Sequence, residues 1–210
     1  MHPHIALALF VASAALACDP RATGSPVPPP THEEIAAARV AWDDVYDVLT
    51  HPRCMNCHPD GDAPLQTDAS TPHRWGIDRD AIERGLECSS CHQAGNTPGG
   101  PPGAPTWHFP SAETPMIFQG RDSPTLCAQL NDPRATGGRD LDALLTHVAT
   151  EPLVQWAWDP GDDRTTPPMT RDAFLDAFAI WVQGDGACPD ETEDAMPSDD
   201  IEAIGDAMPE

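Results

Sequence analysis

Lysine is absent from the 210-residue chain, and its basic complement is 11 arginines against 34 acidic residues, a net charge of -23. Nucleic-acid binding needs clustered cations to neutralise phosphate, so DNA and RNA are excluded as expected partners. No apolar run approaches the roughly twenty residues of a helical membrane span, which excludes a multi-span membrane protein. Alternating strand patterns are also missing, so the expected fold class is mainly α with extensive coil. A single tyrosine is set against 25 prolines and 15 glycines, so much of the chain must be loop and turn.

One short apolar run does occur, Ile5 to Ala17, of the size of a signal-peptide h-region. Ala15-Leu16-Ala17 fits an A-x-A cleavage site, and Cys18 follows it as in a bacterial lipobox, where the cysteine is lipidated. The expected organisation is therefore a signal peptide over residues 1–17 and a Pro-rich tether over 18–31. A folded domain over 32–189 and an acidic, disordered tail over 190–210 complete it. The tether carries Pro26, Pro28, Pro29 and Pro30, a composition that favours a stiff extended spacer. The tail has nine acidic and no basic residues, and removing it leaves 25 acidic against 11 basic.

Within the domain, Thr31 and Glu34 form a capping-box pattern ahead of Ile35, Ala38, Trp42, Val45 and Leu49 at helical spacing. Ser123-Pro124 reads as N-cap and N1 of a helix carrying Leu126 and Leu130. Leu141, Leu144, Leu145 and Val148 mark another helix, ended by Pro152. Thr170 caps a last helix bearing Phe174, Phe178, Trp181 and Val182 and stopped at Gly184. The segment from Gly95 to Pro115 has no periodicity and is too long for an idle loop, so it is expected to wrap something.

The cysteines carry the chemistry. Cys54-Met55-Asn56-Cys57-His58 and Cys88-Ser89-Ser90-Cys91-His92 are both C-x-x-C-H, the attachment sequence for c-type haem. On a helical turn, positions i, i+3 and i+4 share a face, so two thiols can bond the porphyrin while the histidine reaches the iron. With 9 histidines in the chain, chance places one behind both pairs with odds of roughly two in a thousand. The competing readings are a zinc site built from the two pairs and a pair of disulfides. The motifs therefore predict two haem c groups, attached at Cys54, Cys57, Cys88 and Cys91 with His58 and His92 as proximal ligands.

The motifs start 34 residues apart, too close for two complete cytochrome domains, so the haems themselves are expected to form much of the core. Trp42, Trp75, Trp107, Trp156, Trp158 and Trp181 offer flat apolar surface for them. Distal ligands could come from His73, His108, His147, Met116 or Met169. Cys127 and Cys188 remain, and an exported chain would most simply pair them as a disulfide.

Longer phrases carry a family resemblance. They are His51-Pro52-Arg53-Cys54-Met55-Asn56-Cys57-His58-Pro59, Gly61-Asp62, Pro64-Leu65-Gln66, Cys88 to His92, Pro102-Gly103-Ala104-Pro105 and Trp107. They continue with Leu126-Cys127, Asp132-Pro133, Gly137-Gly138-Arg139, His147, Leu153-Val154, Trp156, Trp158, Pro160-Gly161, Arg164 and Gly186-Ala187-Cys188-Pro189. Over roughly residues 40–189 the chain resembles the bacterial "isoquinoline 1-oxidoreductase subunit" family, which looks like exported c-type cytochromes with two haem sites. The resemblance implies a cytochrome c-like diheme domain and ranks His73, Met116 and His147 above His108 as distal ligands. It also implies an electron-accepting role beside a molybdenum hydroxylase-type oxidoreductase. The chain itself has no four-cysteine iron–sulfur spacing and is too short for a molybdopterin domain.

The expected function is that of a periplasmic diheme c-type cytochrome, with Cys18 as the candidate site of a lipid anchor. It would carry electrons between a dehydrogenase or oxidoreductase and a respiratory acceptor, steered by its acidity to basic docking patches on redox partners. Electron transfer rather than catalysis is expected. Two other classes compete: a peroxidase-like haem enzyme or sensor with one open iron, and a zinc- or disulfide-stabilised exported binding module.

Overall fold

A computed structural model describes residues 28–162 and 164–189. The expected signal segment, Cys18, most of the tether and the acidic tail lie outside the described residues. The fold is mainly α. Thr31 accepts from the Glu34 amide at 3.2 Å while the Glu34 carboxylate takes the Thr31 amide at 2.6 Å, and this capping box opens α1 (His32–Leu49). Four short elements then run through the coil: α2 (Pro52–Met55), β1 (Leu65–Gln66), β2 (Thr71–Pro72) and α3 (Arg79–Glu83). β1 and β2 pair antiparallel with Leu65 opposite Pro72, a two-residue ladder too short for any alternation to announce.

After the long coil come α4 (Ser123–Leu130), α5 (Leu141–Thr150), α6 (Pro152–Gln155) and α7 (Arg171–Gln183). The N-cap of α4 is Asp122 rather than Ser123: the Asp122 carboxylate accepts from the Thr125 amide at 2.9 Å. Ser123 is committed elsewhere, its hydroxyl accepting from the Trp42 indole at 2.8 Å and so tying α4 to α1. Thr170 caps α7 and Gly184 ends it.

α1 packs along α7, with α4 and α5 flanking them. Trp42 and Trp181 are fully buried with ring centroids 5.0 Å apart, and Phe178 meets Trp181 edge-on at 5.2 Å. Val45, Val48, Leu126, Leu144 and Phe174 complete an apolar cluster. Trp42 and Trp181 thus serve this helical core, and Trp158 packs against it. The contact of α7 with α1 is so close that a Cβ on Gly184 would strike the Ala38 side chain and the Glu34 carbonyl. A disulfide between Cys127 and Cys188 staples the C-terminal segment to α4. Among the described residues no helix is long and apolar enough to cross a membrane.

Candidate cofactor-attachment site

The first motif begins where α1 ends. His51 turns the chain and caps α2, its Nδ1 accepting from the Arg53 amide at 3.2 Å, and Pro52 occupies the first helical turn where no amide is needed. The backbone keeps turning past Met55, with the Cys57 amide on the Cys54 carbonyl at 3.1 Å and that of His58 on Met55 at 3.0 Å. The second motif is a 3-10 turn over Cys88–Ser90, in which the amides of Cys91 and His92 both reach the Cys88 carbonyl, at 3.2 and 2.9 Å. Each motif is therefore a single turn that gathers its two cysteines and its histidine.

All four motif thiols are free. Burial, reinforced by the neighbouring Cys57, pushes the Cys54 thiol up to about 12, and burial with Cys88 close by pushes Cys57 up to about 11. Cys88 is raised for the same reason. Protonated, desolvated thiols of this kind are not activated nucleophiles.

The two histidines are held alike. Nδ1 of His92 lies 2.7 Å from the Pro102 carbonyl, and Nδ1 of His58 lies 3.4 Å from that of Pro115. A carbonyl only accepts, so Nδ1 carries the proton and Nε2 is left with its lone pair, the arrangement that orients a metal-ligating imidazole. Burial lowers His92 and pushes His58 down to about 4, so both rings are neutral at neutral pH. Each also stacks on an aromatic: His58 on Phe118 at 4.1 Å, His92 on Trp107 at 4.3 Å with planes only 6° apart.

Their surroundings differ. His73 stands beside His92, with ring centroids 6.1 Å apart and its own Nδ1 2.9 Å from the Arg74 carbonyl. Around His58 lie the backbone of Pro115 and Met116, and His147 and His108 are near enough to depress its protonation. Met116 is half-buried against the helical core with a left-handed φ of 47°. Met169 packs against that core, its carbonyl accepting from the Trp158 indole.

A cavity of about 980 Å³ opens between the motifs. Cys57 from the first motif and Cys88, Cys91 and His92 from the second line it, together with His73, Trp107 and Trp156. The coil from Gly99 to Phe109 forms much of one wall, so the segment expected to wrap something does enclose this space. Cys54, His58, Met116 and His147 lie outside it, on the side of the first motif that faces the helices. Trp75 stands 80% exposed on the rim, with φ 64°.

Several organising residues carry no motif. Asn96 accepts from the Trp156 indole at 2.8 Å and the Gly103 amide at 3.1 Å while donating to the Asp159 carbonyl at 2.9 Å. It pins the loop that presents the Pro102 carbonyl to His92. Gly103 is obligatory there, since a Cβ would collide with the carbonyls of Gln93 and Gly95. Arg53 and Asn56, buried in the cavity wall, flank Cys54 and Cys57 directly, the one signal by which they could have been singled out.

Among the described residues no group of three or more His, Cys, Asp and Glu side chains gathers closely enough to hold a metal ion. The four thiols therefore do not form one tetrahedral cluster, although Cys57 and Cys88 of the two motifs lie near each other. Scans against family models, curated proteins and solved structures find no match for the chain.

Proposed function

We propose that the chain is an exported diheme c-type cytochrome that carries electrons between an oxidoreductase and a respiratory acceptor. The observation that carries this reading is the pairing of chemistry with fold. Two C-x-x-C-H turns each carry two free thiols and a histidine whose Nδ1 is committed to a backbone carbonyl, and the second turn with Cys57 of the first lines a large aromatic-lined cavity.

The residues present fit the group. Cys54 and Cys57 would hold one haem c, with His58 as proximal ligand; Cys88 and Cys91 would hold the other, with His92. His73 stands beside His92, with ring centroids 6.1 Å apart and Nδ1 of each on a backbone carbonyl, so both imidazoles could turn Nε2 to a group held by Cys88 and Cys91. We therefore assign His73 as the distal ligand of the second site and Met116 or His147 as that of the first. Bound haem supplies reversible one-electron chemistry at its iron. The protein holds the ligands in a fixed neutral tautomer, stacks them on Phe118 and Trp107, and walls the second site with Trp107 and Trp156, which meet edge-on at 4.9 Å. Candidate second ligands at each site favour electron transfer over the peroxidase-like alternative, and the lack of a gathered ligand cluster among the described residues favours haem over a single zinc site.

The resemblance to the "isoquinoline 1-oxidoreductase subunit" family supports a molybdenum hydroxylase-type electron donor, and the leader with Cys18 supports a periplasmic location with a lipid anchor. Acidic surface would favour partners with basic docking patches. The test is a pyridine haemochrome assay, with haem staining on a denaturing gel, on protein exported in a host with haem c maturation machinery. Two covalent haems per chain are expected. No covalent haem, with zinc found by elemental analysis, overturns the reading. Carbon monoxide binding by the reduced protein would move it to the enzyme or sensor alternative.

A further inference from the structure

Among the described residues four histidines place Nδ1 on a backbone carbonyl. His58 uses Pro115 at 3.4 Å, His73 uses Arg74 at 2.9 Å, His92 uses Pro102 at 2.7 Å and His108 uses Thr106 at 2.6 Å. In each ring the carbonyl fixes the proton on Nδ1 and leaves Nε2 with its lone pair. His51 is the opposite case, its Nδ1 accepting from the Arg53 amide, and no carbonyl fixes the ring of His147. His73 and His92 stand together at the second site. Of the four, His58 and His108 remain.

The strap that carries His108 reaches both sites. Trp107 before it stacks on His92. Phe109 after it lies 4.3 Å from the Arg79 guanidinium, which also donates to the Pro110 carbonyl and stands 3.4 Å from the Asp62 carboxylate. Asp62 follows His58 by four residues, so Arg79 ties the strap to the loop that leaves the first motif. Thr106, whose carbonyl orients His108, is a β-branched residue with a left-handed φ of 61°, a conformation that costs energy. Its hydroxyl is held between the Pro105 carbonyl at 2.6 Å and the Glu151 carboxylate at 3.0 Å. Besides burial, His147 and His108 both depress the protonation of His58, whereas His92 feels His73 and Arg164 instead. Met116 is placed less well. Its neighbour Pro115 occupies the Nδ1 edge of His58, Phe118 covers a face of that ring, and the Met116 side chain packs on the helical core.

We propose that His108 is the distal ligand of the first site, opposite His58, and displaces both Met116 and His147 from that role. This rests on the diheme reading. Each site then takes two imidazoles of one tautomer, the proximal one from a motif and the distal one from the coil. Methionine raises the potential of a haem iron relative to histidine, so two histidines at each iron keep both centres at the low end. That range suits a carrier that takes electrons from a strongly reducing oxidoreductase and gives them to a higher-potential acceptor. One strap thereby serves both sites, with Trp107 against the proximal histidine of the second and His108 toward the iron of the first.

The test uses the loaded protein with His108→Ala and His108→Met, each scored first for covalent haem and then by near-infrared magnetic circular dichroism. In His108→Ala one haem should turn high-spin and bind carbon monoxide when reduced, while the other stays low-spin. Added imidazole should restore the low-spin form, a rescue that a merely structural role would not give. His108→Met should keep both haems low-spin, introduce a thioether-to-iron charge-transfer band, and raise the reduction equilibrium constant of one haem roughly tenfold or more. Two attached haems that both stay low-spin in His108→Ala overturn the assignment and leave the diheme reading standing. A thioether band in the unaltered protein overturns it equally, as does an iron opened by His147→Ala and not by His108→Ala. Should His108→Ala not fold, His108→Met decides alone, and the lack of a thioether band there is fatal. No covalent haem in the unaltered chain sinks the underlying reading and this assignment with it.

Discussion

The helical part of the molecule and its coil part solve different problems. α1, α4, α5 and α7 bury Trp42, Trp181, Phe174 and Phe178 against one another, and a disulfide closes the packet. Residues 52–115 hold only short elements, and in place of a core they enclose a cavity of about 980 Å³. Arg53 Nε and Asn56 Oδ1 remain buried without partners in that wall. Trp181 Nε1 and Arg171 Nε are likewise buried without partners in the helical half, so it is the open space rather than the unpaired polar atoms that sets the coil half apart. The coil half is held from outside: Tyr46 of α1 donates to the Arg121 carbonyl at 2.9 Å, and the Phe118 and Gln119 amides both reach the His58 carbonyl. The helices are a platform, and the chemistry is laid across it.

The sharpest way to break this comparison is to remove one motif. Cys88→Ser combined with Cys91→Ser should halve covalent haem, from two per chain to one, while far-UV circular dichroism from the helical half is retained. Loss of both haems, or of the helical signal, would show the halves to be one cooperative unit. The reverse cut is Trp181→Ala. Deleting a fully buried tryptophan costs about 3–5 kcal/mol, read as a lower denaturation midpoint of the whole chain. A midpoint change under about 1 kcal/mol would mean that the platform does not carry the stability.

Reduction of the disulfide comes next. Cys127 and Cys188 close a loop of 61 residues, for which the loss of chain entropy on cross-linking predicts about 4 kcal/mol. Cys127→Ala with Cys188→Ala should lower the midpoint by about that much and leave the haem spectrum as it was. A spectral change would show that α4 positions the coil half directly.

Gly103→Ala acts inside the coil half. A Cβ there presses on the carbonyls of Gln93 and Gly95, a strain of about 1–3 kcal/mol, and moves the Pro102 carbonyl that orients His92. The expected signature is a changed ligand field at one haem with the other untouched. Both haems unchanged would mean that the Pro102 contact does not tune the site.

What was legible in the sequence follows the same division. Capping and periodicity are local signals, so the Thr31–Glu34 box, the Thr170 cap and the Gly184 stop could be read directly. The motifs were legible because one turn brings i, i+3 and i+4 together without help from the rest of the chain. The wall of the cavity was not. Asn96 meets Trp156 across 60 positions and Asp68 meets the Thr165 amide across 97, and no short pattern encodes such encounters. Even the shift of the α4 cap from Ser123 to Asp122 has a long-range cause, the claim of Trp42 on the serine hydroxyl. Which tryptophans line the site is also a long-range matter: Trp42 and Trp181 lie in the platform, Trp107 and Trp156 in the cavity.

The smallest expected effect is the most local. The Thr170 hydroxyl accepts from the Ala173 amide at 3.2 Å and opens the helix that carries Phe174, Phe178 and Trp181. Thr170→Ala frees that amide and should cost about 1 kcal/mol, the usual worth of an N-cap, seen as a slightly lower denaturation midpoint. The Met169 carbonyl next to it accepts from the Trp158 indole at 2.9 Å, so a cap that also fixes the entry of α7 would cost more when removed. A loss well above 1 kcal/mol, with the haem bands shifted, would therefore place Thr170 at the joint between the two halves. A loss of about 1 kcal/mol with unchanged bands keeps it a property of the platform alone.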